Sequence, residues 1–201
     1  MKGTKIKNLK KKYSWIQLYL SFVKAYRSIP LMINNRRQGH IDPKFVERLM
    51  LATTEVNGCD VCSYAHTKMA LMEGFSQDEI DAFLSGSEAY VLQEEAKGIL
   101  YAQHFADCMG YPDPKAIEAL IQNYGLQKAQ VIQASILMMM MGNLSGIPLS
   151  AFLRRLKGQA YANSSLIYEL GMLLIQPIFM IVALPHAVLD AFLFKKYSVF
   201  N

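Results

Sequence analysis

The chain is predicted to be all-α, and three observations carry that reading. Helix-starting and helix-stopping residues recur along its whole length, strand-like alternation is scarce, and apolar residues repeat at helical spacing. With 201 residues, 52% of them apolar and 18% charged, one well-buried core is within reach and nothing demands two. The elements follow in order. Lys2, Lys5, Lys7, Lys10, Lys11 and Lys12 make a basic tail, read as a solvated end. Tyr13, Trp15, Ile16, Leu18, Tyr19 and Phe22 then form an amphipathic helix, either a packed arm against a partner subunit or a membrane-surface helix. Asp42-Pro43 is an N-cap with proline at the first helical position, and Phe45, Leu49 and Ala52 continue that helix to Asn57-Gly58. A second core helix starts near Cys59 and runs through Ala65, Met69 and Met72 to Gly74. Ser76-Gln-Asp-Glu79 has the capping-box pattern for a short third helix.

Ser87 to Met109 reads as one longer helix, stopped by Gly110-Tyr-Pro112. Asp113-Pro114 repeats the cap-and-proline signature and leads Ile117, Leu120 and Ile121 to Gly125. Leu126 to Met141 is a strongly apolar helix, its four consecutive methionines suited to adaptable packing, and Ser150 to Leu156 is another. From Leu170 to Leu189 there are twenty residues without Asp, Glu, Lys or Arg, long enough to span a bilayer. Pro177, Pro185, Gln176 and His186 interrupt it, and Glu169 and Asp190 bracket it. Two readings stand: two short helices broken at a proline and buried between subunits, or membrane contact with Lys195-Lys196 on the cytoplasmic side. The chain divides into 1–41 (basic tail and amphipathic helix), 42–146 (core) and 147–201 (apolar helical extension), together one compact domain.

The formal charge of +5 comes from the tail, and the remaining residues are close to neutral. No basic body points to nucleic acid. Three cysteines are not a disulfide framework, and Met1 to Lys12 lacks the apolar run of a signal peptide. The expected location is therefore the cytoplasm, with membrane association as the alternative. In a reducing compartment a Cys-x-x-Cys is redox-active or metal-binding before it is structural.

The chemistry concentrates in Phe45 to His66. Cys59 and Cys62 lie three apart just after the Asn57-Gly58 break, which places both sulfurs on one face at the start of a helix. His66 follows one turn beyond Cys62, and Glu47 lies one helix upstream. The helix dipole stabilises negative sulfur, the imidazole can accept a proton, and a carboxylate can orient that imidazole. The reaction such a group supports is thiolate attack on a peroxide oxygen to give a sulfenic acid, which the second cysteine condenses to a disulfide. An external dithiol resets it.

The spacing Glu47-x11-Cys59-x2-Cys62-x3-His66, within Leu51-Ala52 to Asn57-Gly58-Cys59, resembles the alkylhydroperoxidase D and carboxymuconolactone decarboxylase superfamily. Thr67 to Ile80, with Gly74 and a short acidic helix, also fits, and the resemblance covers about 42–146. It implies an alkylhydroperoxidase D-like helical bundle, homo-oligomers, and peroxidase chemistry without metal or organic cofactor. Hydroperoxide would be the substrate and a dithiol protein or small thiol the reductant. Carried over, Cys62 is the attacking thiol, Cys59 its resolving partner and proton donor, and Glu47 and His66 the proton relay. The best-known peroxidases of this type have a histidine between the cysteines, where this chain has Val61. The decarboxylase branch lacks the cysteine pair, so decarboxylation is not expected. The apolar extension after Gly146 lies outside the resemblance.

Competing readings remain beside this one. Glu55, four residues before Cys59, is a rival acid or a solvated helix-end glutamate. A zinc site on Cys59, Cys62 and His66 needs a fourth ligand from His104, Cys108 or His186, and no second ligand pair supports it. Cys108 reads as a small buried residue, His104 and His186 as packing or surface histidines, and His40 as a loop residue. The thiol pair itself could be inert packing, or a redox switch for assembly or membrane attachment without turnover.

Overall fold

A computed structural model describes residues 7–193, 199 and 200. Lys2, Lys5, Lys195 and Lys196, which the sequence reading used, lie outside the described residues. Seven helices and no strand occur among those described: α1 (Trp15–Gln38), α2 (Pro43–Asn57), α3 (Asp60–Met72), α4 (Gln77–Leu84), α5 (Ala96–Asp107), α6 (Pro114–Leu156) and α7 (Leu166–Leu193). The fold is all-α, with two long apolar helices closing the chain.

Most boundaries fall where the local chemistry sets them. Ser14 caps α1 reciprocally with Gln17, Asp42 caps α2 ahead of Pro43, Ser76 caps α4, and Asp113 caps α6 ahead of Pro114. Gly58 closes α2 in the left-handed region (φ 70°), its N–H donating to Thr54 O at 2.8 Å. The core is one cluster. Leu18 and Phe22 of α1, Leu49 and Leu51 of α2, and Ile132, Ile136 and Ile147 of α6 are almost fully buried. Each such side chain contributes about 1.5–3 kcal/mol of apolar transfer free energy. α6 is the central element, packed by α1, α2, α3, α5 and α7.

Three stretches depart from the sequence reading. The helix expected over Ser87–Met109 starts only at Ala96, because the preceding turns bring Glu95 to the Arg48 guanidinium (3.0 and 3.1 Å). Tyr124 fixes the same turn, its hydroxyl donating to Glu94 O and accepting from Gly98 N. Gly125 breaks α6 as expected (φ 72°, ψ 157°), but the helix then runs unbroken through Gly142, Gly146 and Pro148. Gln176 donates to Ser145 O at 3.1 Å, beside the carbonyl that Pro148, having no N–H, leaves unpaired. The C-terminal stretch is a single helix through Pro177 and Pro185 rather than two short ones.

The buried face of the first helix packs on α6 and α7 of the same chain. The described part of the basic tail is tied down as well. Lys10 pairs with Glu55, Lys11 with Asp107, and Leu9 exchanges backbone hydrogen bonds with the Asn163 amide.

Candidate active site

Gly58 turns the chain so that Cys59 becomes the N-cap of α3 (φ −89°, ψ 101°). Cys62 then occupies the first turn, and its N–H donates to Cys59 Sγ at 3.2 Å. The two cysteines form a disulfide with 5.3 Å between their Cα atoms. Cys59 is fully buried, while Cys62 keeps 7% of its surface.

Glu47, from the second turn of α2, and His66, one turn beyond Cys62 in α3, meet each other. His66 Nδ1 lies 2.6 Å from Glu47 Oε1, and both side chains are largely buried. That is a strong, charge-assisted geometry, and it fixes the ring so that Nε2 is left without a hydrogen bond to any described residue. Neither nitrogen is hydrogen-bonded to a sulfur in the disulfide form. The rival acid Glu55 instead takes the Lys10 ammonium (2.9 Å), which also caps the Glu55 carbonyl at the end of α2.

α6 covers the sulfurs with backbone. Cys62 Sγ lies 3.4 Å from Gly142 O, within reach of an S–H once the disulfide is reduced. A β-carbon at Gly146 would sit 2.5 Å from Cys59 Sγ and 2.7 Å from Cys62 Sγ, so only glycine admits this approach. Between them, Asn143 accepts from the buried Thr54 hydroxyl while its own amide nitrogen is buried without a partner. These α6 residues were missed from sequence. The one available signal was two glycines a helical turn apart inside an apolar run.

Val61 is half-buried against α6, and its N–H donates to Ser150 Oγ at 3.1 Å. An aliphatic side chain thus fills the position between the cysteines. Asp60, in the first turn, would oppose thiolate formation by its charge, but it is engaged elsewhere. The Tyr161 hydroxyl donates to it at 3.0 Å, and Arg154 sits 3.9 Å away over the Tyr161 ring. Burial, followed by the Asp60 charge and hydrogen bond, pushes the Tyr161 phenol up to about 12, so it remains a donor at working pH.

The other sequence candidates have their own partners. His104 contacts Cys108 and accepts from Asp113 N, His186 pairs with Tyr19 and Asp190, and His40 lies 2.9 Å from Gln127. Cys108 is partly exposed rather than buried. Among the described residues no group of three or more His, Cys, Asp or Glu side chains is placed to hold a metal ion.

Residues 25–103 match the model of the carboxymuconolactone decarboxylase family. That segment is similar to this family. It runs from within α1 to within α5 and contains Glu47, Cys59, Cys62 and His66. The α6 glycines that close over the sulfurs, and all of α7, lie beyond the matched segment. No curated protein and no solved structure matches the chain.

Proposed function

We propose that the chain is a thiol-dependent hydroperoxide reductase working through the Cys59–Cys62 pair. The observation that carries this reading is the disulfide at the first turn of α3, with the Glu47–His66 pair one turn further on. In the reduced state the α3 N-terminus favours a thiolate in its first turn. Cys62 keeps more surface than Cys59, which supports it as the attacking sulfur. Its thiolate attacks one peroxide oxygen, forms an S–O bond and breaks the O–O bond. The alkoxide leaves as an alcohol with a proton from His66, whose imidazolium Glu47 stabilises. The Cys59 sulfur then attacks the Cys62 sulfenic acid, water leaves, and the disulfide closes. A dithiol returns two electrons and two protons by exchange. No metal or organic cofactor is needed for these steps.

A second reading rests on a specific observation: both sulfurs are nearly inaccessible and wedged against Gly146. In that reading the pair is a redox switch without turnover. The two separate in one assay. With excess dithiothreitol, the enzyme consumes tert-butyl hydroperoxide continuously and Cys62→Ser abolishes consumption. A switch shows negligible consumption above that of dithiothreitol alone, and consumption that survives Cys62→Ser removes the catalytic reading.

A further inference from the structure

The outer face of α7 does not resemble the surface of a protein that meets only water. Ile167, Leu174, Ile178, Ile181, Val188 and Phe192 form a continuous stripe, each more than half exposed. The flanking Val182, Leu184 and Leu189 are about half exposed and apolar as well. Both α6 and α7 are long and apolar enough to cross a membrane, but 61% of that stretch is buried in α6 and only 17% in α7. The exposed apolar area is on the order of 1,000 Å², beyond the 300–600 Å² of the largest patch on an ordinary monomer.

The charged groups of α7 are all turned inward and paired. Glu169 is fully buried and held by Arg155 (2.7 and 2.8 Å) and the Ser164 hydroxyl. Asp190 faces Arg27 and His186. From Leu166 to Leu189 the exposed side carries no Asp, Glu, Lys or Arg that would form the polar rim of a protein interface or the flanking charges of a coiled-coil seam.

Cations gather instead where α7 begins. Lys12 lies over the Tyr168 ring, Lys7 O accepts from Ala162 N, and Lys157 caps α6 just before α7. These three lysines are exposed and have no carboxylate partner among the described residues. Trp15, half exposed, rests on the α7 backbone at Gly171. A broad apolar face ending in lysines and an amphipathic indole matches a lipid surface with anionic headgroups.

We propose that α7 docks the protein on an anionic membrane, lying in the interface with its stripe among the upper acyl chains. It lies on the bilayer rather than across it, because α1 and α6 hold its inner face along its length. A span would draw Lys24 and Arg27 of α1 toward hydrocarbon at a cost of several kcal/mol. The proposal stands independently of the peroxidase reading.

The test is vesicle flotation of the full chain. Wild type should float with phosphatidylcholine–phosphatidylglycerol vesicles and far less with phosphatidylcholine alone, and salt should weaken the binding. Ile178→Glu/Ile181→Glu should lower binding about 100-fold with unchanged helical circular dichroism, and Lys12→Glu about tenfold. Wild type that stays unbound overturns the proposal, and so do equal affinities of wild type and the double variant. A discrete dimer that the double variant dissociates, without vesicle binding, overturns it too and assigns the face to a second copy.

Discussion

The turn joining α2 to α3 and the C-terminal α7 draw on the same stock of residues and use them in opposite ways. Around the disulfide, polar groups converge on the interior: Glu47, His66, Thr54, Asn143 and Asn57 are all largely buried. α7 collects its polar groups on its inner side, satisfies them there, and leaves its outer face apolar and exposed. A buried polar group is costly unless partnered, so the first arrangement persists only where positions are fixed closely. The second needs no fixed partner at all. Substitutions should therefore be felt strongly at the site and hardly at all, in stability, on the outer face of α7.

The largest expected effect is on chemistry. Glu47→Gln keeps the shape but weakens the hold on His66, and it should lower kcat/KM for hydroperoxide by about 100-fold, the low end for losing a proton relay. Steady-state peroxide consumption with a dithiol, beside a melting curve showing a retained fold, checks this. Next comes packing. Gly146→Ala places a methyl group against both sulfurs and should cost about 2 kcal/mol as α6 is forced outward. Urea unfolding of the oxidised protein measures it.

A smaller effect carries a pH signature. Burial would raise the Glu169 carboxyl, but hydrogen bonds from Arg155 and Ser164 and the guanidinium charge outweigh it and hold the group below its ordinary range. With the folded value below the unfolded one, its contribution is complete at neutral pH and is lost as pH falls through the lowered value. Arg155→Met should therefore lower the melting temperature at pH 7, with the gap to wild type narrowing as pH approaches 4. A gap that widens toward acid contradicts the assignment. The smallest effect belongs to Ile181→Glu on the exposed face of α7, expected within about 0.5 kcal/mol of wild type. A larger loss would mean that the face is covered in the folded protein.

How much of this the sequence could tell follows the same divide between local and distant causes. Asp42-Pro43, Asn57-Gly58 and Asp113-Pro114 place helix boundaries by chemistry contained in two residues, and they do so correctly. The cysteine pair and His66 were legible because their relation is spacing along one helix. The segment before Ala96 was misread because Glu88, Ala89, Leu92 and Glu94 favour a helix locally. What bends it is Glu95 reaching Arg48, forty-seven positions away in sequence. Gly142, Gly146 and Pro148 looked like breakers. The two glycines lie where α6 meets the disulfide, and α6 continues through the proline with Gln176 of α7 donating to the neighbouring Ser145 carbonyl. Glu169 likewise looked like the edge of an apolar run, and its partner Arg155 belongs to the preceding helix. The tail lysines read as solvated, yet Lys10 and Lys11 find carboxylates 45 and 96 positions away.

The central claim is that Cys62 is the sulfur that meets peroxide. Its most direct test is to treat reduced Cys59→Ser protein with one equivalent of hydroperoxide in the presence of dimedone and map the adduct by mass spectrometry. The account predicts a sulfenic acid adduct on Cys62, formed more slowly when Glu47→Gln is added. No adduct on Cys62, or an adduct on the partly exposed Cys108 alone, would contradict it.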